Sequence, residues 1–148
     1  EQETCHLVSL MGRLREEDIE FGTIPVHKGL FENIKKSEHC LAIRLALNSI
    51  VSEGKGLDAG EKLIKKLKSW NDMRSVAILE VILEEEVGHI AFGRKWFEIY
   101  VKEILKRDFL EFFKEVRNSY ETKSNLNLNV EARKKAGFDE NWLVLLKN

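Results

Sequence analysis

The sequence predicts an all-α fold, a bundle of helices forming one domain over residues 1–148. Three observations lead there. Apolar residues recur at spacings of three and four over long stretches, the period of one helix face. Only one proline, Pro25, occurs in 148 residues, and proline is the residue that most effectively interrupts a helix. The composition, 43% hydrophobic and 33% charged, supplies apolar side chains for a single buried core and enough charge to solvate the outer faces.

The first helix is expected from about Thr4 to Glu20, on the stripe Leu7, Leu10, Met11 and Leu14, and it ends in Phe21-Gly22-Thr23-Ile24-Pro25. A connection through His27 to Gly29 leads to a second helix that begins near Leu30 and runs through Ala42, Leu45, Ala46, Ile50 and Glu53. Its small residues allow a neighbouring helix to approach closely. Gly54, Gly56 and Gly60 are expected to weaken it, and Glu61 to Lys68 resumes the helical pattern. Ser69-Trp70-Asn71-Asp72 reads as a turn in which Asn71 or Asp72 caps the next helix. That helix spans about Met73 to Lys106, long for a globular protein and suited to a bundle. Short helices follow at Asp108 to Tyr120, Val130 to Ala136 and Glu140 to Leu146, with Ser124 to Asn129 a polar loop.

Charge excludes some function classes. The formal net charge is −1, and basic residues alternate with acids in Lys62 to Lys68 and Lys102 to Arg107, so there is no electrostatic footprint for nucleic acid or for an anionic membrane surface. No apolar run approaches the length of a membrane span or reads as a secretion signal. Two cysteines, Cys5 and Cys40, make no disulfide framework, and a cytoplasmic location is expected. Cys5 is expected to be a small core residue. The chain opens with Glu1 already inside an amphipathic pattern, so further residues are expected upstream.

One short pattern occurs twice, as Glu3-Thr4-Cys5-His6 and as Glu86-Val87-Gly88-His89. On a helix, residues three apart share a face, so each pair aims a carboxylate and an imidazole at one spot. A site for two redox-active ions wants bridging carboxylates and one imidazole per metal. Ferritin-like di-iron and di-manganese proteins supply these from Glu-x-x-His on two helices and a lone Glu on each of two others. The second copy lies on the stripe Ser75, Leu79, Ile82, Glu86, His89, Gly93 and Phe97, where an unpartnered carboxylate costs several kcal/mol, roughly, unless a cation or a hydrogen-bonded network receives it. Glu84 and Glu85 point elsewhere around the helix and read as a solvated face.

Depth along the rods nominates a further ligand. If the segment from Leu30 to Lys68 turns back near Trp70, Glu53 and Glu86 both lie roughly 25 Å from the turn at about 1.5 Å per residue. Glu32 falls at another depth. Glu38, beside His39, competes if the segment ends at Gly56.

Several segments together carry a resemblance: Phe21-Gly-Thr-Ile-Pro-Val-His-Lys-Gly-Leu-Phe-Glu32, Glu53-Gly-Lys-Gly-Leu-Asp58, Ile78 to Ile90 with Gly93 and Trp96-Phe97, and Asn129-Val-Glu-Ala-Arg-Lys-Lys-Ala-Gly-Phe138. In this order they resemble the bacterial ferritin-like family known as domain of unknown function 455, over nearly the whole chain. At greater distance the sequence is similar to tRNA-modifying di-iron hydroxylases. The resemblance implies a ferritin-like helical bundle with extra short C-terminal helices and a di-metal centre, its motif residues falling on Glu3, His6, Glu53, Glu86 and His89. It favours Glu53 over Glu38. It also implies that the family's first helix, with a second lone Glu, is missing here, leaving five ligands of six; upstream residues, a second chain or water would complete the set. His27 and Arg44 match the family as residues of the outer shell, through hydrogen bonding and charge neutralisation.

The expected cofactor is thus two metal ions, iron first and manganese second. The expected function is that of an oxidoreductase or oxygenase acting on an unknown small-molecule or modified substrate. The alternatives are metal binding for iron storage or peroxide scavenging, and a metal-free bundle that binds a partner through aromatics such as Trp96, Phe112, Phe113 and Trp142, whose commoner fate is core packing. A homodimer is among the arrangements allowed.

Overall fold

The longest periodic stretch of the sequence builds the central rod of the protein. In the computed structural model, which describes residues 1–26, 28–120 and 127–147, every regular element is helical and no strand occurs among the described residues. The rod is α5, Met73–Ile99, extended by a π-helical turn over Tyr100–Ile104. Asp72 starts it: its carboxylate accepts the Ser75 backbone N–H at 3.0 Å, satisfying one of the orphan donors of the first turn. Asn71 instead takes a left-handed conformation with φ of 60° that reverses the chain.

A second rod runs beside α5, made of α3 (Leu41–Arg44), a π-helical stretch over Leu45–Ser52 and α4 (Glu53–Ser69). The expected weakening at its glycines does not occur, and packing explains why. A Cβ on Gly54 would sit 2.2 Å from the Arg133 guanidinium, and one on Gly60 2.4 Å from the Leu83 side chain. These glycines are where neighbours come closest, and tertiary contact outweighs the roughly 1 kcal/mol propensity cost of each. Gly93 of α5 does the same for the second rod, since a Cβ there would meet Ser49 at 2.2 Å. The π-helical stretch widens the turn and diverts carbonyls from the regular ladder. Two of them find side chains: Leu47 O accepts from Ser52 Oγ at 2.7 Å and Ile50 O from Arg133 Nη1 at 3.1 Å.

Two shorter helices complete this half. α1, Gln2–Glu16, lies along α5, and α2, Gly29–Lys36, lies against the π-helical stretch. α1 stops before Glu20 because Asp18 turns left-handed, with φ of 55°. The single helix expected from Leu30 to Glu53 is broken after α2, where Ser37 Oγ donates to Asn33 O at 2.7 Å and caps the end. Leu7 and Leu10, expected to face inward, are exposed, as is Cys5, which is not the core residue the sequence suggested.

The remaining helices, α6 (Phe109–Ser119), α7 (Val130–Lys135) and α8 (Glu140–Lys147), gather around the far end of α5. Here sits the densest core. Trp142 meets Phe113 at 4.8 Å and Phe138 at 5.4 Å between ring centroids, with Phe97 and Phe109 also in contact. Its indole N–H is satisfied by Glu98 Oε1 at 2.9 Å. Each such ring contributes about 1.5–3 kcal/mol by leaving water. Phe112, Phe113 and Trp142 are therefore core, while Trp96 stays exposed beside Phe92. No helix of the described residues is long and apolar enough to cross a membrane. Of the polar loop expected from Ser124 to Asn129, residues 124–126 lie outside the described residues.

Candidate metal centre

Midway along α5, far from the aromatic core, the inward stripe changes from apolar to ionisable at Glu86 and His89. The same change occurs in the first turns of α1 at Glu3 and His6. Because α1 lies along α5, the two Glu-x-x-His faces meet. One ligand atom each from Glu3, Glu86 and His89 lies within 4.8 Å of the others. His89 Nδ1 is 2.9 Å from Glu3 Oε1 and 3.4 Å from Glu86 Oε2. His6 Nδ1 is 3.7 Å from Glu3 Oε2 and 3.9 Å from Glu86 Oε1. The two imidazoles stand 6.0 Å apart.

Both rings thus turn Nδ1 toward the carboxylates, and their other nitrogens are held from behind. His6 Nε2 lies 2.6 Å from Glu85 Oε2, and His89 Nε2 lies 2.9 Å from Gln2 Oε1. When Nε2 donates to these acceptors, a neutral ring has Nδ1 unprotonated and able to coordinate. Glu85 was expected on a solvated face, and this is corrected: it points sideways from Glu86 into the α1–α5 contact. Glu84 is exposed as expected.

Glu53 reaches the cluster from the second rod. It sits at the junction of the π-helical stretch and α4 and shares with Glu3 and Glu86 a cleft of about 570 Å³. Burial, then the negative charge of Glu86, raises the Glu53 carboxyl from its ordinary 4.5 to about 7; Glu3 adds to this, and His89 and a hydrogen bond to Ser49 oppose it. Burial and then Glu3 raise Glu86 as well, against the pull of His89 and His6. Glu53 Oε2 and Glu86 Oε2 are buried oxygens without a hydrogen bond among the described residues, and the nearest donor candidate to Glu86 Oε2 is His89 Nδ1 at 3.4 Å. The Asn48 Oδ1, one turn before Glu53 and on the same cleft, is a third.

Glu3, His6, Glu53, Glu86 and His89 are therefore brought to one place. Glu38 and His39 are exposed, away from it. Arg44 is also exposed. His27 lies outside the described residues. Sequence reasoning missed Glu85, Gln2 and Asn48; only the crossing of α1 over α5, and the wide turn at Asn48, give them their roles.

Desolvated acids with orphaned oxygens, flanked by two imidazoles, suit a divalent transition metal in donor type. The rest of the cleft's lining is largely apolar and includes Leu30, Ile34, Leu63, Leu79 and Ile82.

The sequence model of a family described as "Protein of unknown function (DUF455)" matches residues 1–144. An uncharacterized protein of Haemophilus influenzae is 31% identical over 145 residues, covering 96% of this chain and 49% of that protein. The chain thus spans about half the length of the curated relative it matches. No solved structure matches it.

Proposed function

This chain belongs to the DUF455 family of proteins of unknown function, and we propose that it is a ferritin-like bundle holding a two-metal carboxylate centre, iron being the first choice and manganese the second. The observation that carries the proposal is the pair of buried, unpartnered oxygens on Glu53 and Glu86, facing imidazoles whose outer nitrogens are already bonded. Such oxygens are costly in a folded protein, about 1–3 kcal/mol each and more when charged. A cation removes that cost.

In this reading Glu3 and Glu86, which approach both imidazoles, would hold the ions together with His6 and His89, and Glu53 would join them from the second rod. A sixth ligand would come from an upstream helix, as the resemblance implies, or from a second chain or water. When bound, a pair of redox-active ions supplies electrons to dioxygen. The chain's own residues do the rest. Glu85 and Gln2 orient the imidazoles.

The centre so built is that of an oxidoreductase or hydroxylase, and the apolar lining of the cleft favours an organic substrate over bulk iron storage. Titration of the chelator-treated protein with Co(II) tests the ligand set. Visible ligand-field bands should grow with added metal and be lost in His89→Ala; a featureless spectrum at all ratios would remove the proposal.

A further inference from the structure

The track that α1 follows along α5 continues past the end of α1 as an open apolar stripe. α1 runs antiparallel to α5, with His6 meeting Glu85 and Arg13 meeting Asp72 and Ser75. Beyond His89, where Gln2 makes its contact, α5 carries two large aromatics in the open: Phe92 is 64% exposed and Trp96 46%, their rings packed edge to face at 6.0 Å. Val81 and Ile99 are exposed as well. At about 100° per residue these four share one face of the rod roughly 60° wide. Trp and Phe grouped on one open stripe are the side chains enriched at the centres of protein interfaces.

The charges beside the stripe say which partner fits. Glu84 and Lys102, the latter in the π-helical extension of the rod, lie along one edge. Both are exposed, and neither makes an ion pair among the described residues. The acids toward the other edge are already engaged, Glu85 by His6 at 2.6 Å and Glu103 by Lys106 at 3.7 Å. Glu84 stands nine residues before Gly93 and Lys102 nine after it, and Gly93 lies between Phe92 and Trp96. A second copy laid antiparallel about that level, related by a two-fold axis, sets each Glu84 opposite the other copy's Lys102 and brings the aromatics of both copies together at the centre. The stripe is thus complementary to itself in charge, as an isologous interface requires. A parallel arrangement would set Glu84 against Glu84.

We propose that this face of α5 is a homodimer interface, in which two copies pack α5 against α5 antiparallel with Phe92 and Trp96 at the centre and a Glu84–Lys102 pair toward each end. The interface uses none of the five acids and imidazoles of the carboxylate cluster and stands without metal.

Sedimentation velocity of the full-length protein over a concentration series tests the proposal. A dimer is expected, and Phe92→Ser combined with Trp96→Ser should raise its dissociation constant by about tenfold or more. Glu84→Lys and Lys102→Glu should each weaken it alone by about tenfold, since each sets like charges face to face at both ends. Mixed in equal amounts, those two single variants should dimerise with each other as tightly as the parent, because every facing pair is then opposite in charge. Such recovery separates a docking defect from a folding defect. A monomer at every concentration overturns the proposal, whether the stripe is open or covered by another part of the same chain. A dimer that these substitutions leave unchanged, or that mixing does not recover, overturns it as well.

Discussion

His6 Nε2 and Glu85 Oε2 lie 2.6 Å apart across the contact between α1 and α5. The bond joins one Glu-x-x-His copy to the residue beside the other, and it turns the remaining nitrogen of His6 toward Glu3 and Glu86. Carboxylates behind a ligating imidazole raise its basicity and fix its orientation, and losing one costs about 10–100-fold in metal affinity. Glu85→Ala is expected to weaken metal binding by that factor, measured by competition with a chromophoric chelator. Unchanged affinity in a normally folded variant would mean that the contact is merely structural.

Glu53 gives the metal-free protein a pH dependence of known sign. Its folded carboxyl is raised from 4.5 to about 7, so the folded state holds a proton that the unfolded chain has released. Relative to an unperturbed acid the stability is intact below about pH 4.5, declines as pH rises toward about 7, and is level above it. With chelator present, Glu53→Gln should therefore melt higher than the parent by a margin that widens between about pH 4.5 and about pH 7. A margin that does not change with pH would contradict the assignment. Metal competes with the same proton, so affinity should climb over this interval.

The buried Asp58–Arg133 pair ties α4 to α7, and through Arg133 Nη1 to the Ile50 carbonyl three residues before Glu53. Removing one partner leaves a charge in the interior, which costs about 3–5 kcal/mol. Asp58→Ala should lose that much in a urea melt. Asp58→Leu combined with Arg133→Met should lose clearly less than the two single changes added together, because neither charge remains. Additive losses would show that the pair is not coupled.

Gly54 is the point where the rod accepts this guanidinium, and a methyl group would overlap it. Gly54→Ala should destabilise by about 1–3 kcal/mol despite alanine's better helix propensity. Gly56, where a Cβ meets nothing within 4 Å, should instead tolerate alanine. Equal effects at both positions would refute the packing explanation.

What could be read from the sequence follows from what is local. The stripe from Ser75 to Phe97 marked α5, and the Asp72 cap marked its start, because both depend on residues a few positions apart. The two Glu-x-x-His pairs were visible for the same reason, and matching depths along the rods nominated Glu53. The role of Gly54 and Gly60 was not legible, since a glycine that admits Arg133 or Leu83 looks the same as one that weakens a helix. Nor was the break at Ser37, nor the π-helical turns, whose carbonyls are satisfied by residues as distant as Arg133. Glu85 was misplaced because its partner arrives from a helix about eighty residues away. Arg44 matched a family position, and it lies exposed.

The most direct test is the metal content of the full-length protein purified from iron-supplemented cells, beside a variant carrying Glu86→Ala and His89→Ala. About two transition-metal ions per chain are expected in the parent, as in other two-metal carboxylate bundles, with most of that content lost in the variant. Equally low content in both proteins would contradict the metal centre and leave only the helical scaffold.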